Sequence, residues 1–273
     1  MKLCNEKYEN TVYNDVFAEF PFELSDFQKY SIEAILRGNN ALVTAPTGCG
    51  KTLPANFAIN HFTKNKKKVI YTSPIKALSN EKMMTLAEKN PGVSFGLLTG
   101  DKKFNPDADV LVMTTEILTN TLFKMKSKEK TVLDFDIDIE KDLGMVIFDE
   151  VHYINDKFRG GVWEMAIMML PESVRILGLS ATIDKAKEFC EWIETLRGET
   201  WLCPATTRIV PLEHNSLVFY PDSMIKKLKP QDHDAISSIN GTPITMKSEV
   251  IAFDEKDYHE RCKKMKILEN KNI

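Results

Sequence analysis

The sequence has few of the features that mark secreted, zinc-binding or membrane proteins. Its five cysteines are odd in number, scattered along 273 residues, and form no C-x-x-C pair. This argues against a disulfide framework or a zinc site and favours a reducing compartment. No apolar run reaches the length of a membrane span, and residues 1–15 hold no apolar stretch like that of a secretion signal. These absences predict an intracellular protein of the cytoplasm or nucleus.

An excess of basic residues is absent as well. The chain has 36 Lys and Arg against 39 Asp and Glu, a formal net charge of -3. Any contact with nucleic acid must therefore come from local groups rather than from a broad basic surface. Two short basic runs, at 64–68 and 124–130, are most simply solvated loops. The composition, 43% apolar and 27% charged, is typical of a soluble globular protein of one or two domains.

Short runs of β-branched and apolar residues recur between segments with helical spacing. They are "NALVTA", "KKVIYTS", "VSFGLLT", "DVLVMTT", "LGMVIFD" and "VRILGLS". Most show little polar alternation, as expected where helices cover both faces of a parallel sheet. We therefore predict a doubly wound, mainly parallel α/β domain with ligands at the carboxyl ends of its strands. Ser73 is the expected N-cap of the helix after the second run, and a charged helix is expected at 254–273.

The loop "APTGCGKT" follows the first of these runs and precedes a helical segment, which is the context of a phosphate-binding P-loop. Gly48 and Gly50 allow successive backbone N–H groups to point at phosphate oxygens. Lys51 is expected at the β- and γ-phosphates and Thr52 at Mg²⁺. Ala45 stands where the general pattern has its first glycine. The predicted ATP contacts in this loop are Ala45, Pro46, Thr47, Gly48, Cys49, Gly50, Lys51 and Thr52.

The string "VIFDEVH" places two carboxylates directly after an apolar strand. Asp149 is predicted to bind Mg²⁺ through water, and Glu150 to orient and deprotonate an attacking water molecule. Together with Lys51, these residues are the predicted catalytic set. A P-loop alone also fits a kinase or a GTPase, but the added acid pair favours nucleoside triphosphate hydrolysis.

Several longer strings resemble one family. "APTGCGKT", "DEVH" and "SAT" at 180–182 are similar to motifs I, II and III of superfamily 2 helicases of the DExH-box branch. "YTSPIKALSN", "GLLTGD", "NPDADVLVMTTEIL" and "VIFDEVHYINDKFRGGVWE" resemble the superkiller-type RNA helicases that feed RNA to the exosome. The resemblance runs from about residue 22 to 214, and alanine at position 45 is common in this superfamily.

The resemblance implies a RecA-like fold that uses ATP and Mg²⁺ and moves 3'-to-5' along single-stranded RNA. Phe22 would stack on adenine and Gln28 would hydrogen-bond its edge, an arrangement that suits a purine. His152, Ser180 and Thr182 would couple the ATP state to the grip on the strand. The implied nucleic-acid contacts are Pro74, Lys76, Ser79, Asn80, Gly100, Asp101, Thr114 and Thr115. We found no chemical role for "RGGVWE", whose tryptophan is expected in the core.

The domain organisation expected from the resemblance has three parts. Residues 1–21 form an N-terminal extension, 22–207 the first RecA-like domain, and 208–273 a linker with the start of a second RecA-like domain. No arginine-rich QxxGRxxR segment is present, so we expect an excised fragment with weak ATP binding and slow hydrolysis. Its expected partners are single-stranded RNA, the second domain in cis and the RNA-decay machinery.

Three alternatives remain open from the sequence. A DNA helicase of the same branch would carry the same backbone-gripping motifs, because a contact to the 2'-hydroxyl is not readable here. A nucleotide-binding switch or adaptor would bind ATP without unwinding, although the complete set of Lys51, Asp149 and Glu150 speaks against it. A small-molecule P-loop kinase fits the loop but not the longer family strings.

Overall fold

The structure is a computed structural model that describes residues 1–127, 139–181, 183–205, 214–216 and 244–247. The chain divides into two compact units, Met1–Thr207 and Arg208–Ile273. The helix expected at 254–273 lies outside the described residues, and so does Thr182. In the part of the chain that is described, no helix is long and apolar enough to cross a membrane.

The first unit is built on a nine-stranded sheet with the order β1-β9-β2-β8-β7-β3-β6-β4-β5. Every neighbouring pair is parallel except β4 and β5. The strands are β1 (Lys2–Leu3), β2 (Asn40–Thr44), β3 (Lys68–Ser73), β4 (Phe95–Leu98), β5 (Lys103–Phe104), β6 (Val110–Thr114), β7 (Leu143–Phe148), β8 (Arg175–Ser180) and β9 (Thr200–Pro204). All six predicted runs form strands, whereas β1, β5 and β9 were not predicted. In the second unit, β10 (His214–Ser216) pairs antiparallel with β11 (Ile244–Lys247).

Helices connect most of the parallel strands. They are α1 (Asn14–Phe17), α2 (Asp26–Leu36), α3 (Leu53–Lys64), α4 (Lys76–Lys89), α5 (Thr115–Ser127), α6 (Gly160–Met169) and α7 (Ala186–Arg197), with a 3₁₀ helix at Val151–Asn155. Helix α2 ends just before Gly38, whose φ of 70° is a backbone conformation that favours glycine. Pro54 lies in the first turn of α3, where a missing N–H costs little.

Successive residues of the central strands face two separate hydrophobic layers. Val43 and Tyr71 pack into the layer that holds the buried residues of α2, α3 and α4. Leu42 and Ile70, their neighbours along the same strands, pack into the layer of α5, α6 and α7. Trp163 belongs to this second layer and is fully buried, as predicted. A parallel sheet covered on both faces is the doubly wound α/β fold that the sequence predicts.

The strand register aligns the ends of the strands that carry the motifs. Thr44 at the end of β2 lies opposite Ser180 at the end of β8. Phe148 at the end of β7 lies opposite Gly178 of β8 and Thr72 of β3. Since parallel strands have their carboxyl ends at one edge, the loops that follow them meet there.

The expected N-cap at Ser73 is wrong. Ser73 is the buried last residue of β3, and α4 begins three residues later with Ile75 in the N-cap position. The Ser73 hydroxyl instead donates to the Ile75 carbonyl at 3.2 Å and lies 2.6 Å from the Ser79 hydroxyl. Strand β3 thus continues through Ser73, and the hydroxyls of Ser73 and Ser79 join its end to the first turn of α4.

Arg197 closes α7 with a buried guanidinium. The residue is 5% exposed. Its Nη1 donates to the Ile167 and Leu170 carbonyls at 3.2 and 2.8 Å, and its Nη2 donates to the Val174 carbonyl at 2.7 Å and to the Pro171 carbonyl. Desolvation lowers the pKa of Arg197 to about 10, so the group stays charged at neutral pH. It satisfies the carbonyls at the carboxyl end of α6, which a helix leaves unpaired.

Arg197→Met is expected to lower the free energy of unfolding by about 2–4 kcal/mol, because the side-chain stem is kept while several buried carbonyls lose their donors. Urea unfolding followed by circular dichroism measures the change. Arg175→Met is the matched control, since Arg175 makes a single long contact of 3.4 Å to the Glu172 carbonyl, and its effect should stay within about 0.5 kcal/mol. Equal losses in the two variants would contradict the role given to Arg197.

Candidate functional site

The loop after β2 has the backbone shape of a phosphate cradle. Gly48 and Gly50 have φ of 89° and 80°, values that other residues adopt only with strain. A Cβ added at Gly50 would lie 2.7 Å from the Gln28 amide nitrogen, so this position also requires glycine for space. Ala45 and Cys49, both in this loop, are buried, consistent with small residues that pack against the core.

Lys51 and Glu150 form an ion pair across the sheet edge. The Lys51 Nζ lies 3.0 and 3.2 Å from the two carboxylate oxygens of Glu150. The Lys51 side chain is 10% exposed and that of Glu150 25%. Glu150 has φ 48° and ψ 46°, a left-handed conformation that costs a non-glycine residue about 1 kcal/mol or more. Strain at this position indicates that the surrounding structure holds the carboxylate in place.

Asp149 is 1% exposed and all of its contacts are internal. Its Oδ1 accepts the backbone N–H of Glu150 at 3.0 Å. Its Oδ2 accepts the Tyr71 hydroxyl at 2.7 Å and lies 2.9 Å from the Lys82 Nζ. Burial raises the pKa of Tyr71 well above 10, and the Asp149 carboxylate raises it further, so the hydroxyl remains a donor.

The sequence analysis missed both partners of Asp149. Tyr71 lies inside an apolar strand and was taken as part of the sheet, although it is only two residues before the end of β3. Lys82 lies in the second turn of α4, where a lysine is normally solvated. The position of Tyr71 near the carboxyl end of its strand is a signal that could have found it, whereas nothing local marks Lys82.

The residues at this edge fit a magnesium ion. The Thr52 hydroxyl, at the N-cap of α3, and the Asp149 carboxylate offer hard oxygen ligands. Among the described residues no group of three or more His, Cys, Asp and Glu side chains could hold a metal ion. A small number of protein oxygens beside a phosphate cradle suits Mg²⁺, which keeps several waters and shares phosphate oxygens of its substrate.

Gln28 ties helix α2 to the phosphate loop. Its Nε2 donates to the Gly50 carbonyl at 3.2 Å, and its Oε1 accepts the Ser25 N–H and hydroxyl at 3.0 and 2.9 Å. Phe22 is 54% exposed and is therefore accessible at the surface. The structure thus places Gln28 against the loop and leaves Phe22 accessible, while the adenine contact itself stays a prediction.

His152 connects the acid pair to the end of β8. Its Nδ1 lies 3.4 Å from a Glu150 carboxylate oxygen and 3.4 Å from the Ser180 hydroxyl. The structure therefore brings together His152 and Ser180, two of the three residues predicted to couple the ATP state to nucleic-acid binding. The third, Thr182, lies outside the described residues.

Four of the predicted nucleic-acid residues line one open groove of about 480 Å³ beside the nucleotide site. They lie at or shortly after the carboxyl ends of β3, β4 and β6, in agreement with the aligned strand ends. The full lining is Pro74, Ile75, Lys76, Gly100, Thr114, Glu116, Ile117, Asn120 and Arg159.

The other predicted nucleic-acid residues have different surroundings. The Ser79 hydroxyl is buried and lies 2.6 Å from the Ser73 hydroxyl, within the fold. Thr115 is fully buried, and its hydroxyl has no hydrogen-bond partner among the described residues. Asn80 is partly exposed. Asp101 lies 3.0 Å from the Lys76 Nζ, and hydrogen bonds from Lys76 and Thr99 lower the pKa of its carboxyl.

Arg159, from the string without an assigned role, spans the groove. Its guanidinium donates to the Pro74 carbonyl at 2.6 Å and pairs with the Glu116 carboxylate. It therefore links the loop after β3 to the first turn of α5. Because Arg159 follows the 3₁₀ helix that begins at Val151, the same segment connects the groove with Asp149 and Glu150.

The comparisons decide the family. The DEAD/DEAH box helicase model matches residues 25–189 of the sequence. The chain belongs to the DEAD/DEAH box helicase family. Curated relatives include the probable helicase HelY of Mycobacterium tuberculosis, 43% identical over 74% of this chain and 21% of the relative. The antiviral helicase SKI2 of Saccharomyces cerevisiae is 42% identical over 77% of this chain and 16% of the relative.

A third relative, the DExH-box ATP-dependent RNA helicase DExH11 of Arabidopsis thaliana, is 42% identical over 78% of this chain and 15% of its own length. These matches confirm the resemblance to superkiller-type DExH helicases. The chain spans about a fifth or less of the length of these curated relatives.

A solved structure confirms the fold independently. The DUF1998 helicase MrfA bound to DNA superposes with a TM-score of 0.53, at 18% identity, over 72% of this chain and 29% of that chain. At this identity the match concerns the fold alone, which is the RecA-like arrangement of a helicase domain.

Tyr71→Phe is expected to lower the free energy of unfolding by about 1–2 kcal/mol, because the buried Asp149 carboxylate loses a hydroxyl donor while the ring packing is kept. Thermal and urea unfolding of the chain measure the effect. In the matched control Tyr30→Phe, the lost hydroxyl makes a long 3.4 Å bond to the Lys7 carbonyl at the surface, so the loss should be below about 0.5 kcal/mol. A Tyr71→Phe chain as stable as the unsubstituted chain would contradict this account of Asp149.

Proposed function

We propose that this chain is the ATP-binding and hydrolysing first RecA-like domain of a helicase that translocates 3'-to-5' on single-stranded RNA. The observation that carries the proposal is the cluster of Lys51, Asp149 and Glu150 at one end of a parallel sheet. The 3.0 Å ion pair between Lys51 and Glu150 brings the phosphate loop and the acid motif, which are 99 residues apart in sequence, to one place.

The ion pair suggests how nucleotide prepares the site. A triphosphate in the cradle carries more negative charge than one carboxylate and would compete for the Lys51 ammonium. Once Lys51 turns to phosphate, the Glu150 carboxylate is free to accept a proton from the attacking water. Mg²⁺ held near Thr52 and Asp149 would neutralise charge on the phosphates.

Support for a nucleic-acid substrate comes from the relatives and from the groove, and support for RNA in particular comes from the relatives. DExH11 is named as an RNA helicase, whereas MrfA was solved with DNA, so DNA is the competing substrate. The groove offers a lysine, backbone groups and a helix start, which suit a sugar–phosphate backbone and carry no base readout. Partners in this proposal are a second RecA-like domain and the RNA-decay machinery.

Lys51→Ala is expected to weaken ATP binding at least about tenfold, since the phosphates lose their principal cation. Glu150→Gln is expected to keep ATP affinity within about threefold but to abolish hydrolysis by the full-length enzyme, because the amide cannot accept the proton. Calorimetric titration with ATP and Mg²⁺, together with a phosphate-release assay, measures both effects.

Lys64→Ala serves as the control for that pair, because Lys64 is exposed at the other end of helix α3. It should leave binding and hydrolysis unchanged. An equal loss of ATP affinity in the Lys51 and Glu150 variants would argue against their separate roles. Absence of Mg²⁺-dependent nucleotide binding by the unsubstituted chain would overturn the proposed function.

Lys76→Ala is expected to weaken binding of a single-stranded RNA several-fold and to reduce the salt slope of the binding constant by about 0.7, the value for one lost phosphate contact. Fluorescence anisotropy at several salt concentrations measures it, with a DNA of the same sequence beside the RNA. Lys89→Ala, at the exposed far end of the same helix, should bind as the unsubstituted chain does. Tighter binding of DNA than of RNA would favour the competing substrate.

A further inference from the structure

Lys82 joins helix α4, whose first turn borders the groove, to the buried carboxylate of Asp149 in the nucleotide site. Its Nζ lies 2.9 Å from Asp149 Oδ2, with side-chain exposures of 24% for Lys82 and 2% for Asp149. A nearly buried carboxylate requires a positive partner. Lys82 supplies that partner in this structure, and it does so from α4, the helix whose first turn borders the groove.

Two of the lysines of helix α4 point in different directions. Lys76 and Lys82 are six residues apart, which separates them by about 120° around a helix of 3.6 residues per turn. Lys76 is exposed, lines the groove and pairs with Asp101 at 3.0 Å. Lys82 points to the sheet edge at Asp149. A single rigid element thus contacts both the groove and the acid that is proposed to serve the metal ion.

Lys82 and a bound Mg²⁺ would compete for the Asp149 carboxylate. Oδ2 already accepts the Tyr71 hydroxyl and the Lys82 ammonium, so Mg²⁺ drawn to this carboxylate meets a positive charge of the protein. A movement of α4 that takes Lys82 away from Asp149 would therefore raise the affinity for Mg²⁺ and nucleotide. Thermodynamic linkage requires that Mg²⁺-nucleotide in turn favours the same position of the helix.

We propose that Lys82 is a positioning residue that couples nucleic-acid binding on α4 to metal-nucleotide binding at Asp149. The inference rests on the proposed function and adds to it a regulatory contact. Nucleic acid drawn to the Lys76 side of the helix releases Lys82 from Asp149, so strand and Mg²⁺-nucleotide bind with positive cooperativity. In the absence of nucleic acid, Lys82 keeps the affinity for Mg²⁺ low.

The test measures the Mg²⁺ concentration that gives half-maximal binding of a fluorescent, non-hydrolysable ATP analogue to the 273-residue chain. Each titration is made with and without a single-stranded oligouridine. For the unsubstituted chain, the RNA should lower the Mg²⁺ midpoint at least about fivefold, the lower end of typical coupling factors. For Lys82→Met, the midpoint should be lower by a similar factor already without RNA, and RNA should change it no further.

Two further variants separate this role from general effects of charge. Lys82→Arg keeps a cation within reach of Asp149 and should restore both the high midpoint and the response to RNA. Lys89→Met removes the same charge from the exposed last turn of the same helix and should behave as the unsubstituted chain. Because Lys82→Met can also disturb folding, Lys82→Gln is titrated beside it, and thermal unfolding is recorded for every variant.

The outcomes are distinct. A folded Lys82→Met or Lys82→Gln chain with an unchanged Mg²⁺ midpoint and an unchanged response to RNA would overturn the coupling. So would an equal shift in Lys89→Met, which would show that net charge alone is responsible. Failure of the unsubstituted chain to bind the analogue with Mg²⁺ would instead refute the proposed function on which the coupling rests.

Discussion

Strands β2, β8, β7 and β3 lie side by side in parallel, and helices cover both faces. The candidate functional site depends on this parallel arrangement of the strands. A parallel pair needs a long crossover connection, so residues distant in sequence can emerge from adjacent strands at one edge. The phosphate loop and the acid motif meet because Thr44 is in register with Ser180, and Gly178 with Phe148. The groove is the continuation of that edge toward β6 and β4.

Charge at this edge is arranged as two linked pairs. Lys51 faces Glu150, while Lys82 faces Asp149, and the Tyr71 hydroxyl shares an oxygen with Lys82. Each acid is paired with a cation from another part of the chain, and the Asp149 side chain, 2% exposed, is too buried to rely on water. The pairs connect the phosphate loop and α4 to the acid motif, so the parts proposed to bind phosphate, metal and nucleic acid share one electrostatic network.

Much of the fold followed from local pattern. The apolar runs identified β2, β3, β4, β6, β7 and β8, and their weak alternation indicated the covered parallel sheet. The strands β1 and β9 were not predicted because Lys2–Leu3 and Thr200–Pro204 carry little pattern. β1 owes its conformation to pairing with β9, and β9 lies between β1 and β2. Ser73 was misread because its hydroxyl serves the turn from inside the strand, and a sequence shows the residue type but not its partner.

For the candidate site, too, some features follow from the sequence and others only from the tertiary structure. The sequence by itself indicated the candidate phosphate loop and acid pair, and its longer strings indicated the family, because residue types at set spacings are local properties of the chain. Only the tertiary structure decided which groups face one another: Lys51 with Glu150, Lys82 and Tyr71 with Asp149, and Arg159 with Pro74 and Glu116. The physical reason is that these contacts join separate elements, and the register of the sheet and the packing of its helices set their distances.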